Sequence, residues 1–150
     1  MSPVRRNRHV AVAATVATAA ASWAVATEVA GVTLGVKFAH AAASTVALGP
    51  TVGVAASATV AGWVVMSVLE TRVSNPLRTW VTIATAVLVA SLALPIAFAT
   101  SVSAVISLIA IHLAVGAVAI AGLARTTTSH RIHDDASYTS PASLGARTAA

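Results

Sequence analysis

Glu70-Thr71-Arg72-Val73-Ser74-Asn75-Pro76-Leu77-Arg78 is a short polar turn set between two long apolar runs, Thr51–Leu69 and Thr79–Thr100. It holds three of the thirteen Lys, Arg, Asp and Glu residues in the chain. An unpaired backbone N–H or C=O in hydrocarbon costs several kcal/mol, so a chain leaves a bilayer before it turns. The stretch therefore reads as the point where the chain exits a membrane and re-enters it.

The whole-chain numbers agree. Of 150 residues, 57% are apolar and 9% charged, with a mean hydropathy of +0.87. A soluble domain carries about 25% charged residues, a deficit too large for a water-facing surface. The length suits one domain and the apolar runs suit four spans of about 20 residues each. The expected fold class is all-α, a polytopic four-transmembrane-helix bundle. The formal net charge of +5 would suggest nucleic acid in a soluble protein. Here the basic residues sit in the tails and the central turn, where membrane topology and anionic lipid explain them, and nucleic acid is not an expected partner. Cysteine is absent, which removes disulfide, thiolate-metal and cysteine-nucleophile chemistry.

Before the turn, residues 1–9 form a basic cytoplasmic leader with Arg5, Arg6 and Arg8, and the first helix is expected over 10–30. A cleaved signal peptide is the rival reading, with Ala26-Thr27-Glu28-Val29-Ala30 as a loose cleavage pattern, but the apolar run exceeds the usual 7–15 residues. Residues 31–49, interrupted by Gly31, Gly35, Lys37, His40 and Gly49, are expected to be an outside interfacial connection. A prolongation of the neighbouring helices, a re-entrant segment and a short extended stretch through Val32, Leu34 and Val36 are its alternatives. The second helix is expected over 50–69, with Pro50 in its first turn.

After the turn, Asn75 is placed to cap a third helix over 77–99 and Pro76 to open it. Trp80, one turn in, is expected to anchor at the headgroups, and Leu94-Pro95 to kink or stop the helix. A fourth helix is expected over 102–123, with 10–124 as the transmembrane domain. From Arg125 the composition turns to Ser, Thr, Ala, Gly, Asp and Arg, which predicts a disordered cytoplasmic tail over 125–150. Eight of the nine Lys and Arg residues fall in the tails and the central turn, and only Lys37 elsewhere. With four spans these segments share one side, so both termini are expected in the cytoplasm of a cell-membrane protein.

The candidate chemistry is sparse. His112 is the ionisable group near the middle of a span, where an unpaired polar group is costly. It is read as making a structural hydrogen bond to Ser107, a backbone carbonyl or a serine of another helix, as part of a substrate or proton pathway, or, least of all, as a metal or cofactor ligand. Glu28, Lys37 and His40 form a candidate polar cluster at the outer mouth of the bundle, without metal-site spacing. Glu70, Arg72, Arg78 and Trp80 are expected to anchor the inner boundary, the charges pairing across the turn. Gly53, Ser57 and Ala61 recur every four residues, as do Ala58 and Gly62, the spacing that lets membrane helices approach closely. Since 37 of 150 residues are alanine, composition alone also produces such rows. His130, His133, Asp134 and Asp135 in the tail supply weak metal donors without a preorganised setting. No catalytic residue, cofactor or metal site is assigned.

The basic amino terminus before an Ala/Val-rich helix, Leu69-Glu70-x-Arg72, Arg78-x-Trp80 and His112-Leu113 together resemble a family of uncharacterised small actinobacterial membrane proteins built from four helices. The resemblance covers Arg5–Leu123. It implies the fold and supplies no activity. Three functions remain in view. The favoured one is a non-enzymatic helix-packing subunit, modulator or homo-oligomer, with membrane lipids and a membrane-protein partner around it. The second is a transporter or channel for a small solute or protons using His112 and Glu28, its substrate unspecified. The last is an intramembrane lipid enzyme.

Overall fold

The computed structural model describes the backbone of residues 3–38 and 42–138 and the side chains of residues 6–38 and 42–125. Helix α1 (Pro3–Ala24) widens into a π-helical stretch, Val25–Val29, and ends at Gly31, whose φ of 62° a residue with a Cβ rarely adopts. A hairpin of β1 (Gly35–Val36) and β2 (Ser44–Thr45) follows, then α2 (Leu48–Arg72), α3 (Pro76–Ser91), α4 (Ala93–Phe98) and α5 (Val102–Tyr138). Four stretches, Arg6–Val29, Leu48–Arg72, Pro76–Phe98 and Val102–Arg125, are long and apolar enough to cross a membrane. At 23–25 residues each, they reach about 36 Å at 1.5 Å per residue, enough for a hydrocarbon core of about 30 Å. The chain is an all-α, four-helix, multi-pass membrane protein.

The central turn is built as its residues suggest. The Asn75 side chain accepts from the Arg78 amide at 3.5 Å and Pro76 occupies the first turn of α3. The third span breaks at Leu92, three residues before Pro95. Proline has no N–H to give the Ser91 carbonyl, and its ring crowds that carbonyl. The Leu92 amide turns back to Val89 at 3.2 Å, and the Ser91 hydroxyl donates to the Leu88 carbonyl at 2.7 Å.

The helices form a ring in which α1 packs on α2 and α5, and α3 packs on α2 and α5. Each buries a narrow stripe. Ala11, Thr15, Ala19 and Ala26 lie on one face of the first span, and Ala55, Thr59 and Met66 on one face of α2. The spacings of four and seven match one side of a 3.6-residue helix. Valines on the other faces, such as Val54, Val64, Val68 and Val87, are exposed, as suits a surface met by lipid tails. Small buried residues let the backbones approach, which matters where lipid removes the hydrophobic drive for helices to pair. Thr15 and Thr59 bury their hydroxyls by donating to the carbonyls of Ala11 and Ala55, at 2.8 and 2.7 Å.

Two apolar clusters tie the ring together. Ala11, Met66, Trp80 and Leu123 pack at the end that holds the central turn. Ala26, Leu34, Leu108 and Ile111 pack at the opposite end, beneath the hairpin. The hairpin pairs Gly35 with Thr45 and Val36 with Ser44. It is fixed to the bundle by the Trp23 indole N–H donating to the Val46 carbonyl at 2.8 Å and the Lys37 amide donating to the Phe98 carbonyl at 2.8 Å. The Thr100 amide donates to the Gly35 carbonyl at 3.0 Å, and a Cβ at Gly35 would collide with the Thr100 side chain. Leu34, 1% exposed, plugs this end. The described residues after the first span thus form a cap in which Leu34 and Gly35 pack on the bundle while Ser44 and Thr45 are exposed.

Candidate functional site

Among the described residues, Arg8 is the centre of a polar network. Because α1 starts with residue 3 rather than after the basic residues, Arg6 and Arg8 fall within its first two turns. Neighbouring α1 and α2 run in opposite directions, which brings the beginning of one beside the end of the other. Nη2 of Arg8 donates to both carboxylate oxygens of Glu70, at 2.8 and 2.7 Å, and Nη1 donates to Ser67 Oγ at 2.9 Å. Ser67 in turn donates to the Trp63 carbonyl at 2.9 Å. The guanidinium carbon lies 5.9 Å from the Trp63 ring centroid, within cation–π range, and His9 meets the same ring edge-on at 5.4 Å. Trp63, Ser67 and Glu70 share one face of α2 by their spacing of four and three.

Arg8 is only 8% exposed, whereas the Glu70 side chain keeps 32% of its surface. The cation is therefore the desolvated partner, and its Nε is buried without a hydrogen-bond partner. Glu70 pairs with Arg8 on α1, not with Arg72 and Arg78 across the turn. Arg72 is two residues from Glu70 and so points to the other side of α2. Arg72 and Arg78 are both exposed.

Trp80 likewise differs from its expected place at the headgroups. It is 6% exposed, inside the bundle, with its indole N–H donating to the Ile120 carbonyl at 3.4 Å. The space comes from Gly62: a Cβ there would lie 2.8 Å from the Trp80 ring and 3.1 Å from Leu123. Of the two small-residue rows of α2, only Gly62 consequently turns into the bundle. Gly62 is an internal contact, while Gly53, Ser57, Ala58 and Ala61 are exposed and nothing lies within 4 Å of a Cβ at Gly53.

His112 is half-buried, and its Nδ1 lies 2.7 Å from the Leu108 carbonyl of its own helix. A carbonyl only accepts, so Nδ1 is the donor in this contact. Gly116, one turn on, is packed against Leu88 of α3. At the hairpin end, Glu28 and Lys37 are exposed and make no ion pair with each other among the described residues. His40 lies outside the described residues, and the side chains of His130, His133, Asp134 and Asp135 lie outside them too. The backbone of α5 continues as helix to Tyr138.

Between α1 and α5, on the outer side of the ring, runs a groove of about 510 Å³. Ala11 and Gly122 form its floor, with a Cβ at Gly122 reaching 3.0 Å from Ala11. Asn7 and Arg125 stand at its polar end.

The buried hydroxyls of Thr15 and Thr59 and the part-buried hydroxyl of Ser67 donate to carbonyls one turn back, not to a base. Among the described residues, no three His, Cys, Asp or Glu residues converge as a metal site. Arg8 with Ser67 was the part that sequence reasoning missed. Its signal was an arginine at the start of one span and a glutamate at the end of the next, on the same side of the membrane.

No curated protein and no solved structure matches the chain. Residues 1–129 match the model of a family of unknown function (DUF6069), a range that takes in all four spans, the Arg8–Glu70 pair and His112. The chain therefore belongs to this family of unknown function.

Proposed function

We propose that the protein is a non-enzymatic subunit of the cell membrane, with both termini in the cytoplasm, that acts by packing the outward face of α2 against another membrane helix. The observation that carries this reading is the row Gly49, Gly53, Ser57 and Ala61. All four are exposed, and nothing lies within 4 Å of a Cβ at Gly49 or Gly53. Small residues four apart on an exposed span face suit close backbone approach by a second helix.

The polar groups support the same reading. Arg8, Glu70 and Ser67 are engaged with one another, and His112 with its own helix, whereas a pathway for a solute needs groups free to exchange partners. The arginines at the central turn and in the first turns of α1 support the cytoplasmic placement of that end. The leucine–glutamate–arginine and arginine–tryptophan motifs support an actinobacterial origin.

The test uses the absence of native cysteine. Ser57→Cys is oxidised in native membranes, with Val87→Cys on the exposed face of α3 as control. A disulfide-linked dimer specific to Ser57→Cys identifies a second copy as the packing partner. With a bifunctional thiol-to-amine reagent, a specific heteromeric band identifies another protein. A strictly monomeric chain in both formats refutes the proposal.

A further inference from the structure

The groove between α1 and α5 lies on a different side of the ring from the exposed row of α2. Its walls are Val10 and Ala14 on one helix and Ala117 and Ala121 on the other. These residues lie within two membrane spans, so the groove opens to lipid rather than water. Its size limits the occupant. Spread over the two turns from Asn7 to Ala14, about 11 Å of helix, its 510 Å³ gives a cross-section of about 45 Å². A helix with side chains is 10–12 Å across, or roughly 80–110 Å². A helix lying on the groove could lower only side chains into it, whereas a single hydrocarbon chain can lie along it.

Charge selects what that chain is attached to. The end of the bundle that holds Asn7 and Arg125 also holds Arg6, Arg8, Arg72 and Arg78, and its one carboxylate among the described residues, Glu70, is engaged by Arg8. At the other end, Glu28 and Lys37 leave the described residues balanced. An anionic headgroup is thus favoured where the groove meets the surface and has no counterpart at the hairpin end. Asn7 adds an amide that can donate to a phosphate oxygen, and Arg125 a guanidinium with the planar geometry that phosphates match.

We propose that this groove seats one acyl chain of an anionic glycerophospholipid, with the phosphate held between Asn7 and Arg125. Ala14, Ala117 and Ala121 keep the trough open because larger side chains would fill it. Gly122 sets its depth by letting α1 and α5 touch at Ala11.

The test is photolabelling of the full chain in phosphatidylcholine vesicles containing a trace of lipid with a photoactivatable acyl chain, either phosphatidylglycerol or phosphatidylcholine. Mass spectrometry maps the adducts. Phosphatidylglycerol is expected to label Val10, Ala14 and Val118 about fivefold more than phosphatidylcholine, the preference expected for one arginine near a membrane surface. Val87 on α3 should be labelled equally by both. Arg125→Gln should remove most of the preference, and Ala121→Leu should reduce labelling of the groove by both lipids. High salt should weaken the preference. Equal labelling by the two lipids in the wild-type chain would overturn the proposal. So would a groove protected from both lipids and cross-linked to a second copy, since the occupant would then be protein. The wild-type comparison needs no variant to fold, and either result is independent of the packing role assigned to α2.

Discussion

Removing Glu70 should cost more than removing Arg8, although the two are partners. The order follows from their burial. Arg8 is 8% exposed and the Glu70 side chain 32%. In Glu70→Leu the buried guanidinium keeps Ser67 as a hydrogen-bond acceptor, with Nε already unpaired. Stranding a buried charge costs about 3–5 kcal/mol, and the low end applies to a site at the membrane boundary, giving about 3 kcal/mol. In Arg8→Met the stem volume is kept and Glu70 can hydrate, so the loss should be about 1 kcal/mol, the scale of an exposed pair. The double variant Arg8→Met/Glu70→Leu removes both charges and should lose only about 1–2 kcal/mol. The coupling is then about 2–3 kcal/mol, about 30- to 160-fold in the folding equilibrium. The assay is reversible unfolding in mixed micelles, followed by tryptophan fluorescence, since Trp63 and Trp80 report on this end of the bundle. Additivity within about 0.5 kcal/mol, or a larger loss for Arg8→Met than for Glu70→Leu, would refute the reasoning.

Three further outcomes are expected. Gly62→Ala should cost about 1–3 kcal/mol in the same assay because its Cβ meets the buried Trp80 ring, whereas Gly53→Ala, in open space, should be neutral or stabilise by up to about 1 kcal/mol. Equal effects would contradict the inward placing of Gly62 and the outward placing of Gly53. Trp23→Phe removes the indole donor to Val46 and should raise amide exchange at Leu34–Val36 and Ser44–Val46 by about tenfold, the equivalent of about 1.4 kcal/mol, with the α2 amides unchanged. Unchanged exchange at the hairpin would show that the bond does not hold the cap. His112→Ala should lose no more than about 1 kcal/mol, because the Leu108 carbonyl keeps its place in the helix ladder, and proton flux in vesicles should not depend on it; flux abolished by the substitution would move the function to transport.

The spans and their central turn were legible because each rests on a local signal. Asn75 and Pro76 mark a helix start by their own chemistry, and Pro95 disrupts the ladder wherever it falls. Arg8 was not legible in the same way. Counting charge treats an arginine beside a span as a topology signal, and its carboxylate lies 62 positions away. Trp80 misled for a related reason: one turn inside a span is where aromatic anchors sit, and only Gly62 on a different helix reveals the space that buries it. The rows on α2 show the limit of spacing arguments. Ala58–Gly62 and Gly53–Ser57–Ala61 have equal periods, but Gly62 turns inward while Ala58 and the whole second row are exposed. Spacing gives periodicity, and a neighbour is needed to say which face is which.

The claim on which the rest depends is that the chain crosses a membrane four times and leaves the central turn and the hairpin on opposite sides. It is tested most directly by single cysteines in the otherwise cysteine-free chain: Ser74→Cys in the turn and Ser44→Cys in the hairpin, exposed to a membrane-impermeant maleimide on intact cells and again after permeabilisation. The expected result is that Ser44→Cys reacts in intact cells and Ser74→Cys only after permeabilisation. Reaction of both in intact cells, or of neither until the membrane is opened, would contradict a four-span arrangement with the arginine-rich end inside.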